Sequence, residues 1–223
     1  MAVEFAAREI AAKYDRFAAW YDWLEGILNL LGLSRLRRKL LRRASGKVLE
    51  VAVGTGKNLS YYPGDCRIIA LDLSSQMLKV ARDRAAKLST PVSFLVADAE
   101  ALPFRDNTFD TVVSTLSTCT FPNPVTALQE TGRVCGATGK VLLLEHGRSD
   151  REWLSRWQDR HADQFVQPLG CHWNREPLDL AHKAGLRLDN ARRFFFGIFH
   201  QMNCTRINVA VLYPVAHQEG QDE

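Results

Sequence analysis

The stretch that decides the reading is Val48-Leu49-Glu50-Val51-Ala52-Val53-Gly54-Thr55-Gly56. A short apolar run enters a glycine turn, and the residues beyond it open a helix. Gly54 and Gly56 permit positive φ and let a ligand approach the backbone. The helix N-terminus beyond offers N–H groups without intrahelical partners. Two glycines alone fit a plain tight turn as well as a ligand loop, so the acids further along the chain matter. Asp72 ends a second apolar run, Ile69-Ala70-Leu71-Asp72, sixteen residues after Gly56. An acid there is placed to take both hydroxyls of a ribose. Asp98 ends a third run, Val96-Ala97-Asp98-Ala99, where a carboxylate can accept from an exocyclic amine or cap its own turn. A dinucleotide fingerprint needs a third glycine for helix–strand packing. That position is Leu59, beside Asn58, which speaks against NAD or FAD.

Outward from this stretch, strands and helices alternate. Strands are expected at residues 48–53, 68–71, 92–97, 109–115 and 141–145. Helices are expected at 74–88, capped by Ser74, and after Asn123, with Pro124 in the first turn. A helical, tryptophan-containing insert (151–166), a helix (177–184) and two strand-like stretches (188–196 and 207–213) follow. Short apolar strands separated by helices indicate a parallel sheet with both faces covered. Before residue 47 the texture is helical. Tyr14, Phe17, Trp20, Tyr21, Trp23 and Leu24 form an aromatic segment. Ser34 then reads as an N-cap and Gly46 as a stop. Between them Leu33, Leu36, Leu40 and Leu41 share one face, leaving Arg35, Arg37, Arg38, Lys39, Arg42 and Arg43 to the remainder.

The chain has 223 residues, 46% hydrophobic and 24% charged, which suits one domain with an extension. The organisation expected is a helical lid (1–46), a domain (47–213) with an insert at 146–176, and a tail (214–223). The formal net charge is +4, and it sits in the first fifty residues, which hold ten Lys/Arg against six Asp/Glu. The rest is balanced, which argues against a protein basic throughout and against a nucleic-acid partner. The cationic helix is either a solvated packing element or a lid touching anionic lipid. The oligomeric state stays open. No apolar run reaches the roughly 18 residues of a membrane span, and the first ten residues do not read as a secretory leader. The five cysteines, Cys66, Cys119, Cys135, Cys171 and Cys204, match neither a disulfide framework nor a Cys-x-x-Cys site. Reduced thiols, a cytoplasmic setting and no metal are expected.

Residues 48–145 resemble the class I S-adenosylmethionine-dependent methyltransferases, in texture the ubiquinone/menaquinone C-methyltransferase-like group. LEVAVGTG, IIALDLSSQML, VADAEALPF, FDTVVSTLS and ETGRVCGATGKVLLLEH carry the likeness. The resemblance implies an α/β, Rossmann-like seven-stranded sheet with its last strand antiparallel and helices on both faces. It implies an enzyme with S-adenosylmethionine over the C-terminal strand edges. By position, Glu50, Gly54 and Gly56 would hold the amino-acid end of that molecule. Asp72 would bind the ribose, Leu73 or Met77 would flank the adenine, and Asp98 and Ala99 would meet its edge. Ser114 and Thr115 would lie near the methionine part. Ala52 stands where the family's first turn glycine is usual, and Gly136-Ala137-Thr138-Gly139 replaces the usual turn before the fifth strand.

Methyl transfer from a sulfonium is an in-line displacement, so the protein mainly aligns the acceptor and excludes water. A base is needed only for a protonated acceptor. Candidates are Thr118, Cys119, Glu145, His146, Asp159, His161, Cys171, His172, Trp173 and Arg175. His146, directly after the fifth strand, is the best placed, with His172 second. Either is also an ordinary loop histidine. Trp153 and Trp157, four apart, fit core packing better than a substrate cage. Cys119 and Cys171 fit small buried hydrophobes. Residues 141–180 resemble animal and bacterial thiol S-methyltransferases, while PNPVTALQETGRV and the N-terminus resemble bacterial phosphatidylethanolamine N-methyltransferases. A lipophilic thiol is therefore the acceptor expected first. Phosphatidylethanolamine, a quinone precursor and a non-catalytic adaptor role are the alternatives.

Overall fold

The structure, a computed structural model, describes residues 32–207. The aromatic segment at Tyr14–Leu24, most of the expected strand at 207–213 and the tail lie outside the described residues. Seven strands form one sheet: β1 (Lys47–Val51), β2 (Arg67–Asp72), β3 (Val92–Val96), β4 (Phe109–Thr115), β5 (Cys135–His146), β6 (Leu186–Phe194) and β7 (Phe199–Arg206). Their order is β3-β2-β1-β4-β5-β7-β6. β1 to β5 pair in parallel, and β7 runs antiparallel between β5 and β6.

Alternation along the strands divides the core. Leu49, Val51, Val112, Val141 and Leu143 face one side, beneath α3 (Pro124–Val134) and α6 (Pro177–Lys183). Val48, Val113, Leu142 and Leu144 face the other, beneath α1 (Ser34–Leu41), with Leu78 of α2 (Ser75–Ala85). Helices thus cover both faces, as parallel strands require. Ser74 caps α2, its hydroxyl accepting from Met77 N at 3.0 Å, and Asn123 caps α3 through Thr126 N at 3.2 Å.

Four expectations are corrected. Ser34 is the first residue of α1 and not its N-cap; Leu33 precedes it in helical conformation. The last strand is β7, in a segment with few apolar residues. Two of its polar side chains are buried instead: His200, and Gln201, whose Nε2 donates to Leu36 O of the covering helix α1. The insert is two helices, α4 (Glu152–Arg160) and α5 (Ala162–Leu169), separated at His161. Trp153 and Trp157 are 67% and 46% exposed, because α4 turns Ser155 and Gln158 inward. Gln158 accepts from Ser149 N at 2.8 Å and donates to Gly147 O at 3.0 Å, which fixes that face.

Helix α1 is held by its leucines, by the Gln201 bond to Leu36 O and by a polar network through Arg37. Leu33, Leu36, Leu40 and Leu41 are buried as expected, but so is Arg37, only 4% exposed. Its Nη1 donates to Asn58 Oδ1 at 2.7 Å. Asn58 Nδ2 donates in turn to Glu50 Oε1 at 2.7 Å and to Thr115 Oγ1 at 2.9 Å. Tyr62 donates its hydroxyl to Glu50 Oε2 at 2.9 Å. Burial pushes the Glu50 carboxyl up to about 7, against the opposing pull of the Asn58 and Tyr62 hydrogen bonds.

Asn58→Ala strips a buried partner from both Arg37 and Glu50. Urea denaturation should register a loss of about 2–4 kcal/mol, and an unchanged midpoint would refute the link. Glu50 titrates higher folded than unfolded, so its stabilising contribution is complete below 4.5 and is lost as pH rises through about 7. Glu50→Gln should flatten that part of the Tm–pH curve. A slope equal to the wild type's would show that Glu50 is not the source.

Candidate cofactor and acceptor site

A cavity of about 910 Å³, open to solvent, lies at the C-terminal ends of β1 to β4. The sheet order reverses there, between β1 and β4, where open α/β sheets bind ligands. Its floor is the turn after β1. Gly54 has φ +56°, and a Cβ there would meet nothing within 4 Å, so its face toward the cavity is clear. Gly56, at φ +79°, does a different job: a Cβ there would meet Leu59 Cδ1 at 2.9 Å and Ala81 at 3.0 Å. It packs the turn onto α2 and does not line the cavity. Leu59, 1% exposed, fills the place a third glycine would leave open.

Asp72 at the end of β2 lines the cavity and also shapes it. Its Oδ2 accepts from Gly54 N at 2.8 Å and its Oδ1 from Ser74 N at 2.9 Å. One carboxylate therefore ties β2 to the glycine turn and to the start of α2. Leu73, Met77, Asp98 and Ala99 complete this side. Asp98 Oδ1 accepts from Glu100 N at 2.9 Å, so it caps its turn while bordering the cavity. Glu50, Ser114, His146 and His172 are not among the lining residues. Glu50 stands behind the floor in the Asn58 network.

The opposite rim follows β4, formed by Thr115, Leu116, Ser117, Thr120 and Phe121, with Arg37 of α1 joining it. Thr115, Leu116 and Ser117 end the stretch FDTVVSTLS, whereas Thr120 and Phe121 are marked by no motif in the sequence. Arg37 does carry a legible signal: it lies four residues after Leu33 and three and four before Leu40 and Leu41, inside the apolar stripe. Glu145, fully buried, holds the rim from below. It accepts from Ser117 N at 2.8 Å, Thr118 N at 3.1 Å, Thr118 Oγ1 at 3.0 Å and Ser114 Oγ at 3.0 Å. Burial raises its carboxyl despite these donors. Arg175 Nη1 donates to Thr118 O at 2.6 Å and Phe121 O at 2.8 Å, pinning the rim from the insert.

Behind the rim the structure brings Cys119, His146 and Cys171 together. Cys171 Sγ lies 3.5 Å from His146 Nε2, and His172 N donates to Cys119 O at 2.8 Å. The Cys119 thiol and the His146 imidazole hold Cys171 well below the ordinary thiol range, against burial. Burial works against the His146 proton, but the Cys171 sulfur outweighs it and moves the ring upward. Asp159 and His161 are not drawn to the cavity. Asp159 pairs with Arg148 at 2.9 Å, and the His161 ring meets Trp157 O at 2.8 Å.

Comparison with known proteins agrees with this geometry. A methyltransferase domain family matches residues 49–143. The mitochondrial methyltransferase OMS1 of Saccharomyces cerevisiae is 29% identical over 86% of this chain, which spans only 45% of that protein. The ubiquinone/menaquinone biosynthesis C-methyltransferase UbiE of Pseudomonas fluorescens is 32% identical, covering 74% of this chain and 68% of its own. The phosphatidylethanolamine N-methyltransferase of Cereibacter sphaeroides is 33% identical, covering 73% and 80%. An S-adenosylmethionine-dependent methyltransferase of Thermotoga maritima superposes with a TM-score of 0.66 at 22% identity, over 87% of this chain and 99% of its own, which speaks for the fold. On sheet order, glycine turn and relatives together, the chain belongs to the class I S-adenosylmethionine-dependent methyltransferases of the ubiquinone/menaquinone C-methyltransferase-like group.

Proposed function

We propose that the chain binds S-adenosylmethionine in the β1–β4 cavity and transfers its methyl group to an amphiphilic acceptor at the rim after β4. The observation behind this is the pairing of Asp72 and Asp98, at successive strand ends, with the open face of Gly54 in one cavity. The residues suit the molecule. Asp72 keeps its carboxylate fixed by two backbone donors at the strand end where an acid meets the ribose hydroxyls. Leu73 and Met77 offer an apolar surface for adenine, and Asp98 and Ala99 offer its edge. The clear face of Gly54 lets the amino-acid end approach the backbone. Glu50 and Gly56 act one layer back, by fixing Asn58 and seating the turn. Ser114 acts with Glu145 in shaping the rim.

S-adenosylmethionine supplies a methyl already activated by its sulfonium. The chain's own task is then alignment and water exclusion. Thr115, Leu116, Ser117 and Phe121 form the surface against which an acceptor lies. His146 and His172 stand behind that surface, and we assign them to supporting it. A proton released by the acceptor then leaves through the rim hydroxyls or water.

Among acceptors, the headgroup amine of phosphatidylethanolamine is favoured by likeness to the Cereibacter sphaeroides protein, with a quinone precursor second by likeness to UbiE. The thiol expected from residues 141–180 finds no support in the names of these relatives. Among the described residues no helix is long and apolar enough to cross a membrane. Arg35, Arg38, Arg42 and Arg43 are exposed on and just after α1, which suits contact with an anionic lipid surface.

Calorimetry with S-adenosylhomocysteine should give one site per chain. Asp72→Ala should weaken it roughly 10- to 100-fold, the loss of hydrogen bonds to a charged group, and unchanged affinity would remove Asp72 from the ribose. Labelled-methyl assays run in parallel on phosphatidylethanolamine vesicles, a demethylated quinol and an aliphatic thiol should label the lipid. Labelling of the quinol or the thiol alone would overturn that choice of acceptor.

A further inference from the structure

Three soft ligands from three separate parts of the chain converge behind the rim. Cys119 lies in the loop after β4, His146 is the last residue of β5, and Cys171 follows α5. One ligand atom from each, two sulfurs and an imidazole nitrogen, lie within 4.8 Å of one another. We propose that Cys119, His146 and Cys171 form a binding site for one thiophilic cation of the zinc(II) type. It is separate from the methyl-transfer cavity and does not depend on that reading.

The geometry is close to what such an ion needs. Zinc–sulfur bonds of about 2.3 Å and zinc–nitrogen bonds of about 2.0–2.1 Å at tetrahedral angles set ligand atoms about 3.5–3.8 Å apart. The Cys171 Sγ to His146 Nε2 separation is 3.5 Å. Two sulfurs with one imidazole exclude the hard cations magnesium and calcium, which take oxygen. The three segments are already positioned without the ion. His146 is paired to Phe199 in the sheet, and His172 N donates to Cys119 O at 2.8 Å. Arg175 ties the same loop to the insert through Thr118 O at 2.6 Å. Three protein ligands leave the fourth tetrahedral position to water or a small ligand. A cation there would join the rim loop, the end of β5 and the insert at one point.

The test uses the full chain, purified in a non-thiol reductant, stripped with a chelator and titrated with Zn2+ against a chromophoric competitor. One equivalent should be taken up. Co2+ in its place should show thiolate-to-metal charge transfer with tetrahedral visible bands. Cys119→Ser, Cys171→Ser and His146→Asn should each weaken uptake at least tenfold, while Cys66→Ala, at a buried cysteine outside the cluster, should leave it unchanged. Circular dichroism and urea unfolding of the same variants report whether each is folded. Should a ligand variant fail to fold, the cobalt spectrum of the wild type decides, since it reads the ligand types directly. Uptake below one equivalent, a cobalt spectrum without sulfur charge transfer, uptake unaffected by both serine variants, or a Cys119–Cys171 disulfide in the reduced protein would each overturn the proposal.

Discussion

A single buried amide sets the relation between the N-terminal helix and the sheet. Asn58 accepts from Arg37 and donates to Glu50 and Thr115, so α1, β1 and the end of β4 meet at one side chain. Both ends of that amide are used, and the chemistry of its three partners leaves little choice of orientation. Arg37 brings a cation to a buried place that would be costly without a partner. Glu50 needs donors for the same reason. The network therefore places α1 in one position, and with it one wall of the cavity. Leucine packing alone would hold the helix against the sheet but would not fix its rotation, because apolar contacts are not directional.

The fold is legible where local patterning and global packing agree. The β1 turn, the acids at the ends of β2 and β3, and the capped starts of α2 and α3 follow from spacing and side-chain chemistry. The floor of the cavity, Gly54, Asp72, Leu73, Met77, Asp98 and Ala99, follows from the same local information and the family likeness it supports. What escapes depends on contacts far apart in the chain. β7 lacks an apolar run, and one of its buried polar residues, Gln201, is satisfied by Leu36 O of α1, far away in the chain. α4 has two tryptophans on one face, yet it is the polar Gln158 that turns inward, bonded to the loop after β5 and to Trp173 O, contacts that no periodicity reveals. The shape of the rim after β4 escapes because it comes from Glu145, 28 residues beyond Ser117 in sequence but on the neighbouring strand of the sheet.

The cavity is bordered by backbone held in unfavourable conformations. Ala52 and Leu116 both have positive φ, +52° and +56°, and both line the space. For residues with a Cβ such geometry costs roughly 1–2 kcal/mol each. Neighbouring strands enforce it: Val53 N, next to Ala52, bonds Leu71 O at 2.9 Å, and Leu116 N bonds Leu144 O at 2.8 Å. Part of the sheet's strength thus goes into directing the chain around a binding space, a familiar arrangement at functional sites. Where the family favours glycine, Ala52 keeps the turn's path at an added steric cost.

The bond from Gln201 to Leu36 joins residues 165 positions apart. Contacts of such separation close a long loop at an entropic cost, and they slow folding. Helix α1 leaves the ribosome early, yet its place is completed only when β7 has entered between β5 and β6. β7 thus adds a tie to a wall that Arg37 and Asn58 already hold against β1 and the end of β4. A chain halted before β7 would still pack the leucines of α1 on β1 and β5, but it would leave the edge of β5 open to pairing with another strand.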